Sequence, residues 1–150
     1  YNPLAMVDEW SGDYGCGVKY FSQDAVIKLA PAADIRLDSA LSPAEKLKSI
    51  QELMAKGNDR AAKIFETIGC YMGYAIAHYA DFYDFRHLLV LGRVTLGEGG
   101  NMIVNVARKV LKTEFPELAE KIRMHLPDES SRRIGQSVAA ASLPEIARNK

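Results

Sequence analysis

His87-Leu88-Leu89-Val90-Leu91 runs into Gly92-Arg93-Val94-Thr95-Leu96-Gly97-Glu98-Gly99-Gly100, and a helical pattern resumes at Asn101 or Gly100. The first five residues have the length and continuous apolar character of a buried strand, so helices are expected over both of its faces. The glycines then break the regular pattern. A loop that leaves the carboxyl end of a strand and enters a helix is where α/β proteins set backbone N–H groups against phosphate or ribose. Gly92, Arg93, Gly97, Gly99 and Gly100 are therefore the candidate cofactor-binding residues.

Two better-known phosphate loops do not fit. A P-loop needs lysine directly after its second glycine to neutralise phosphate charge. Gly92 and Gly97 have the P-loop spacing, but Glu98 stands at the lysine position and would repel the ligand. The dinucleotide fingerprint needs G-x-G-x-x-G after a strand, which the run from Gly97 to Gly100 does not supply. The plain alternative is a strand-to-helix turn made of permissive residues.

Upstream, residues 1–21 are rich in turn formers and read as irregular. Ser22 caps a short helix carrying Ala25, Val26 and Leu29, which stops before Pro31. Ser42, Pro43 and Glu45 form a capping box for a second helix with Leu47, Ile50, Leu53 and Met54 as its apolar stripe, ended by Gly57. Asp59 caps a long third helix to about Asp84. Its period takes in Ala62, Phe65, Ile68, Gly69, Met72, Gly73, Ile76 and Tyr79, and the Gly69/Gly73 pair admits a close backbone approach. Downstream, a fourth helix carries Ile103, Val104, Ala107, Val110 and Leu111, and Pro116 ends it or opens an extra turn. Lys121 to Leu126 alternates as a second strand, Pro127 to Ser131 makes a turn, and a last helix holds Ile134, Val138, Ala139, Ala141 and Ser142. Strand, helix, strand in this order implies a parallel crossover.

With 150 residues, 48% of them hydrophobic, the chain suits a single domain with a substantial core. Lys+Arg and Asp+Glu both number 19, so no charge excess favours nucleic acid. The Arg132-Arg133 pair reads as a solvated helix face. Cys16 and Cys70 are too far apart for a metal-binding spacing, and no apolar run spans a membrane, so a reduced, cytoplasmic protein is expected. Tyr1-Asn2-Pro3-Leu4 reads as the middle of a loop, which suggests a piece of a longer protein.

Asp8-Glu9-Trp10-Ser11-Gly12-Asp13 gathers three carboxylates and the only tryptophan. These are the usual tools for holding sugar hydroxyls; the bland alternative is an acidic surface turn anchored by Trp10. His78, His87 and His125 make no metal-binding pair in sequence. Core packing accounts for most of the aromatic run Tyr71, Tyr74, Tyr79, Phe82, Tyr83 and Phe85, and any left exposed would favour a homodimer. Cys70 sits among apolar neighbours and has no base beside it.

The order of elements from 69 to 143, with Leu91-Gly92 after the strand and Ile134-Gly135-Gln136-Ser137-Val138-Ala139-Ala140-Ala141 near the end, resembles the C-terminal half of the ROK family of sugar kinases and sugar-responsive regulators. The resemblance implies a helix-rich α/β lobe of the actin-like ATPase (ribonuclease H-like) fold with a small, mainly parallel sheet. Arg93 replaces the second glycine of the family's Leu-Gly-Gly. The segment Tyr14, Cys16-Gly17, Val18-Lys19, Tyr20-Phe21, Ser22-Gln23 is similar to the family's zinc motif, but one remaining thiolate cannot make a tetrahedral site, so no zinc is expected. Gln23 takes the place of the family's sugar-contacting glutamate. The resemblance thus implies a sugar site made by Asp8, Glu9, Asp13 and Gln23, and ATP with Mg²⁺ as cofactor. It also implies an N-terminal lobe that supplies the general base and first phosphate loop, leaving these residues alone inert. A sugar-sensing regulator and a non-catalytic helical interaction domain are the competing expectations.

Overall fold

The computed structural model describes residues 5–127. The last predicted helix, the Arg132-Arg133 pair and the run from Ile134 to Ala141 lie outside them. The chain folds as α1 (Val18–Phe21), α2 (Gln23–Leu29), α3 (Pro43–Ala55), α4 (Asp59–Ala80), β1 (His87–Leu89), a 3₁₀ turn (Arg93–Thr95), α5 (Gly97–Glu114), α6 (Pro116–Lys121) and β2 (Arg123–His125). It is a helix-rich α/β arrangement with a two-stranded parallel sheet among the described residues.

Local signals set several boundaries. Ser22 Oγ accepts the Asp24 amide at 3.1 Å and opens α2. At α3 the capping box is complete: the Ser42 amide donates to Glu45 Oε2 at 2.8 Å and the Glu45 amide to Ser42 Oγ at 3.4 Å. Its far end is a Schellman turn, with Gly57 at φ +74°, the Gly57 amide on the Met54 carbonyl and the Asn58 amide on the Leu53 carbonyl. That exit leaves Asn58, not Asp59, to cap α4, since its Oδ1 accepts from both Arg60 and Ala61. α4 also stops at Ala80, four residues short of the expected Asp84. Residues 5–17 are irregular as expected, apart from an isolated bridge between Val7 and Tyr14, but the irregular segment does not extend through 21.

The core lies along α4 and α5. One end collects Val26, Leu47, Ile50, Ile64, Phe65 and Ile103; the other collects Ile76, Val104, Leu111, Ile122 and Met124. Burying each such side chain contributes about 1.5–3 kcal/mol. Gly69 and Gly73 let the two helices touch: a Cβ at Gly69 would lie 2.7 Å from Val106 Cβ, and one at Gly73 would lie 2.6 Å from Val110 Cβ.

β1 and β2 pair in the register His87↔Arg123, Leu88↔Met124, Leu89↔His125. Leu88 and Met124 turn toward the core, whereas His87, Leu89, Arg123 and His125 are exposed. The expectation of a strand covered on both faces is therefore corrected: β1 is three residues long, and Leu89 is 58% exposed. A continuous apolar run cannot reveal that packing covers only one side. The aromatic run is corrected as well. Tyr71, Tyr74, Tyr79, Phe82 and Tyr83 are all exposed, and only Phe85 packs on the core. Cys70 is exposed rather than enclosed by apolar neighbours. No helix of the described residues is long and apolar enough to cross a membrane.

Candidate functional site

The chain leaves β1 through Val90, which is buried, and turns at Gly92 with φ +124° and ψ 165°. Side chains other than glycine's scarcely reach this backbone region. The turn is then pinned by its own carbonyls. Thr95 donates to the Gly92 carbonyl from Oγ1 at 2.8 Å and from its amide at 3.2 Å, and Gln51 Nε2 reaches the Arg93 carbonyl at 2.9 Å. Arg93 itself is exposed.

Opposite this turn stand the end of α1 and the beginning of α2. Between them is a cleft of about 370 Å³ with Val18, Phe21, Leu91 and Val94 as apolar walls and Ser22, Gln23, Asp24, Gly92 and Arg93 as polar ones. The structure thus brings Gln23 from the upstream set together with Gly92 and Arg93 from the downstream set, across some seventy residues of sequence. A cleft of this size falls at the small end of the ~300–1,000 Å³ usual for ligand pockets.

The other candidates lie elsewhere. Gly97, at φ +66°, is exposed at the start of α5 and does not line the cleft. Gly99 and Gly100 do not belong to a loop, because α5 begins at Gly97 rather than at residue 100 or 101. Both are buried: a Cβ at Gly99 would strike the Phe65 ring at 2.6 Å, and one at Gly100 would strike the Thr95 carbonyl oxygen at 2.0 Å. Close packing of this turn against α4 and the 3₁₀ turn is reason enough for both glycines.

Asp8 and Glu9 are held by Lys19, a residue that the sequence did not single out. Its ammonium is buried and ion-paired with Glu9, with Asp24 at 3.0 Å and with Asp8 at 3.9 Å. The hydrogen bonds that Lys19 donates to Glu9 and then to Asp24 raise its pKa, and Lys19 holds the Glu9 carboxyl below its usual range. Asp8 is lowered first by the Ser11 amide, which donates to its Oδ2 at 3.0 Å. Lys19 therefore fastens the acidic turn to the first turn of α2, beside the cleft. Asp13 is exposed and closes the turn through its carbonyl, which accepts the Asp8 amide at 2.8 Å. Trp10 does not anchor the turn, being 99% exposed.

Two histidines that stand apart in sequence meet in the fold. His87 Nδ1 lies 2.9 Å from His125 Nε2, because the parallel register sets them diagonally on one face. Nothing in a separation of 38 residues signals this contact. Among the described residues no three His, Cys, Asp or Glu side chains gather as metal ligands would. No family model, no curated protein and no solved structure matches the chain.

Proposed function

We propose that this chain is the C-terminal lobe of a ROK-type, ATP-dependent sugar kinase, with the actin-like fold that this implies. The cleft between the Gly92 turn and the α1–α2 junction would take the adenosine side of the nucleotide. What carries the reading is that Gly92, Arg93 and Gln23, singled out on separate grounds, line one cleft. Its walls suit a nucleoside: Phe21 and three aliphatic side chains for a base, and a carboxamide, a hydroxyl and a guanidinium for its polar edge. They do not suit Mg²⁺, since the one carboxylate among them, Asp24, is already committed to Lys19. The metal, the phosphates and the general base are therefore assigned to an N-terminal lobe, and these residues alone would not turn over. In this reading Asp8 and Glu9 shape the sugar border through Lys19 rather than touch sugar, Asp13 is left as the sugar contact, and Gln23 serves the nucleoside instead of the sugar.

A sugar-sensing regulator would use the same cleft without phosphoryl transfer. An aspartate with a glycine-rich phosphate loop in an upstream lobe supports the kinase, and a helix-turn-helix there supports the regulator. Calorimetry of the 150-residue chain with ATP and with glucose tests the common core of both. Heat with either ligand, reduced in Gln23→Ala or Arg93→Ala, supports it. No heat with either, from protein whose circular dichroism shows intact helices, overturns it. The exposed Tyr71, Tyr74, Tyr79, Phe82 and Tyr83 favour a second reading, a helical interaction domain, in which the chain self-associates or docks a partner along α4. Concentration-dependent sedimentation without ligand binding would select it.

A further inference from the structure

The C-terminal half of α5, α6 and β2 enclose a second cavity, of about 400 Å³, that shares no lining residue with the Gly92 cleft. Its floor is apolar, made chiefly by the buried Leu111, Ile122 and Met124. Its rim carries Arg108, Lys112, Arg123 and His125, and among the described residues no carboxylate lines it. In a chain with equal numbers of acidic and basic residues, this is a local segregation of charge. Among the described residues Arg108, Lys112 and Arg123, the three permanent cations of the rim, belong to no ion pair.

The two guanidiniums are held in place by main chain. Arg108 Nη2 donates to the Met124 carbonyl at 2.9 Å, which ties α5 to β2. Arg123 Nη1 donates to the Glu120 carbonyl at 2.9 Å and the Ala119 carbonyl at 3.3 Å, capping the end of α6. Each guanidinium has five N–H donors in a rigid fork, so a single nitrogen fixes its position and the other donors remain for a ligand. Capping explains those nitrogens but not a cavity walled by cations over an apolar floor. Lys112, one turn beyond Arg108 on α5, adds a mobile ammonium on the same side. His125, paired with His87, closes the rim.

We propose that this cavity binds a phosphate monoester attached to an apolar or aromatic body. A monoester carries close to two negative charges at neutral pH and three acceptor oxygens, which matches three permanent cations better than a single carboxylate does. The body would lie on Leu111, Ile122 and Met124. The site is independent of the proposed nucleotide cleft, so either can fail without the other.

The test is a ¹H–¹⁵N NMR titration of the 150-residue chain with phenyl phosphate, inorganic phosphate and benzyl alcohol in separate arms. Phenyl phosphate should give saturable shifts at the Leu111, Ile122 and Met124 amides, inorganic phosphate should bind there more weakly, and benzyl alcohol should not saturate. Lys112→Gln, which removes a charge without touching the capping contacts, should weaken phenyl phosphate about tenfold with the spectrum otherwise preserved. The proposal is overturned if phenyl phosphate leaves those amides unmoved, if Lys112→Gln binds it as well as the parent, or if inorganic phosphate or benzyl alcohol binds there equally tightly. Shifts confined to Gln23 and the Gly92 turn would also overturn it, while leaving the nucleotide reading intact.

Discussion

Replacing Gly69 by alanine sets two effects of opposite sign against each other. In an isolated helix the change is favourable by about 1 kcal/mol, because alanine has less backbone entropy to lose. In this fold the added Cβ would lie 2.7 Å from Val106 Cβ and 2.8 Å from the Ile103 carbonyl oxygen. Carbon atoms rest about 3.5–4.0 Å apart, so α4 and α5 would have to part by roughly 1 Å. Neither partner can swing aside, one being a Cβ and the other main chain. Overpacking costs about 1–3 kcal/mol, and rigid partners place this site in the upper half of that range. After the propensity gain, a net loss of about 1–2 kcal/mol is expected. Gly73→Ala meets Val110 Cβ at 2.6 Å and the Ala107 carbonyl at 3.2 Å and should behave alike. The two positions share one interface, so the double variant need not be additive. Urea unfolding followed by far-ultraviolet circular dichroism should show a lower midpoint for each single variant. An unchanged or higher midpoint would refute the close crossing, because propensity alone would then be acting.

At Gly92 an alanine Cβ would meet no atom within 4 Å, yet φ is +124°. The cost of Gly92→Ala is therefore conformational, about 1–3 kcal/mol, and a thermal midpoint equal to the parent's would refute the turn geometry. The acidic turn should loosen in acid. Asp8 and Glu9 have folded pKa values below their ordinary 3.8 and 4.5, so their contribution is present above that range and lost as pH falls through the folded values. Hydrogen exchange at the Asp8 and Gly12 amides, bonded to the Asp13 and Asp8 carbonyls, should accelerate there more steeply than in Glu9→Gln. Lys19, whose pKa is raised, contributes below its ordinary 10.5 and loses that contribution only as pH climbs through the folded value. Acrylamide, a neutral quencher, should quench Trp10 as readily as free tryptophan, since the ring is 99% exposed; shielding would refute the placement of the turn.

Short-range chemistry was legible in the sequence. Ser22, the Ser42/Glu45 box and Gly57 each act through hydrogen bonds or dihedrals that span at most a few residues, so the residues themselves declare them. The Gly69/Gly73 spacing announced a close approach for the same reason. The parallel strand pair followed from order and apolar pattern, although strand lengths and exposure did not.

Tertiary structure decided the rest. Glycines are ambiguous in sequence: Gly92 relieves a dihedral at a cleft, whereas Gly99 and Gly100 make room for Phe65 and Thr95, and only the approach of α4 and the 3₁₀ turn separates the two uses. Lys19 gains its meaning from carboxylates on both sides of it, and His87 finds His125 through register alone. The cationic cavity unites residues from α5 and β2 that no local pattern connects. Forces that act within a turn of chain can be read from the chain; burial and charge acting across the fold take effect only once distant segments have been brought together.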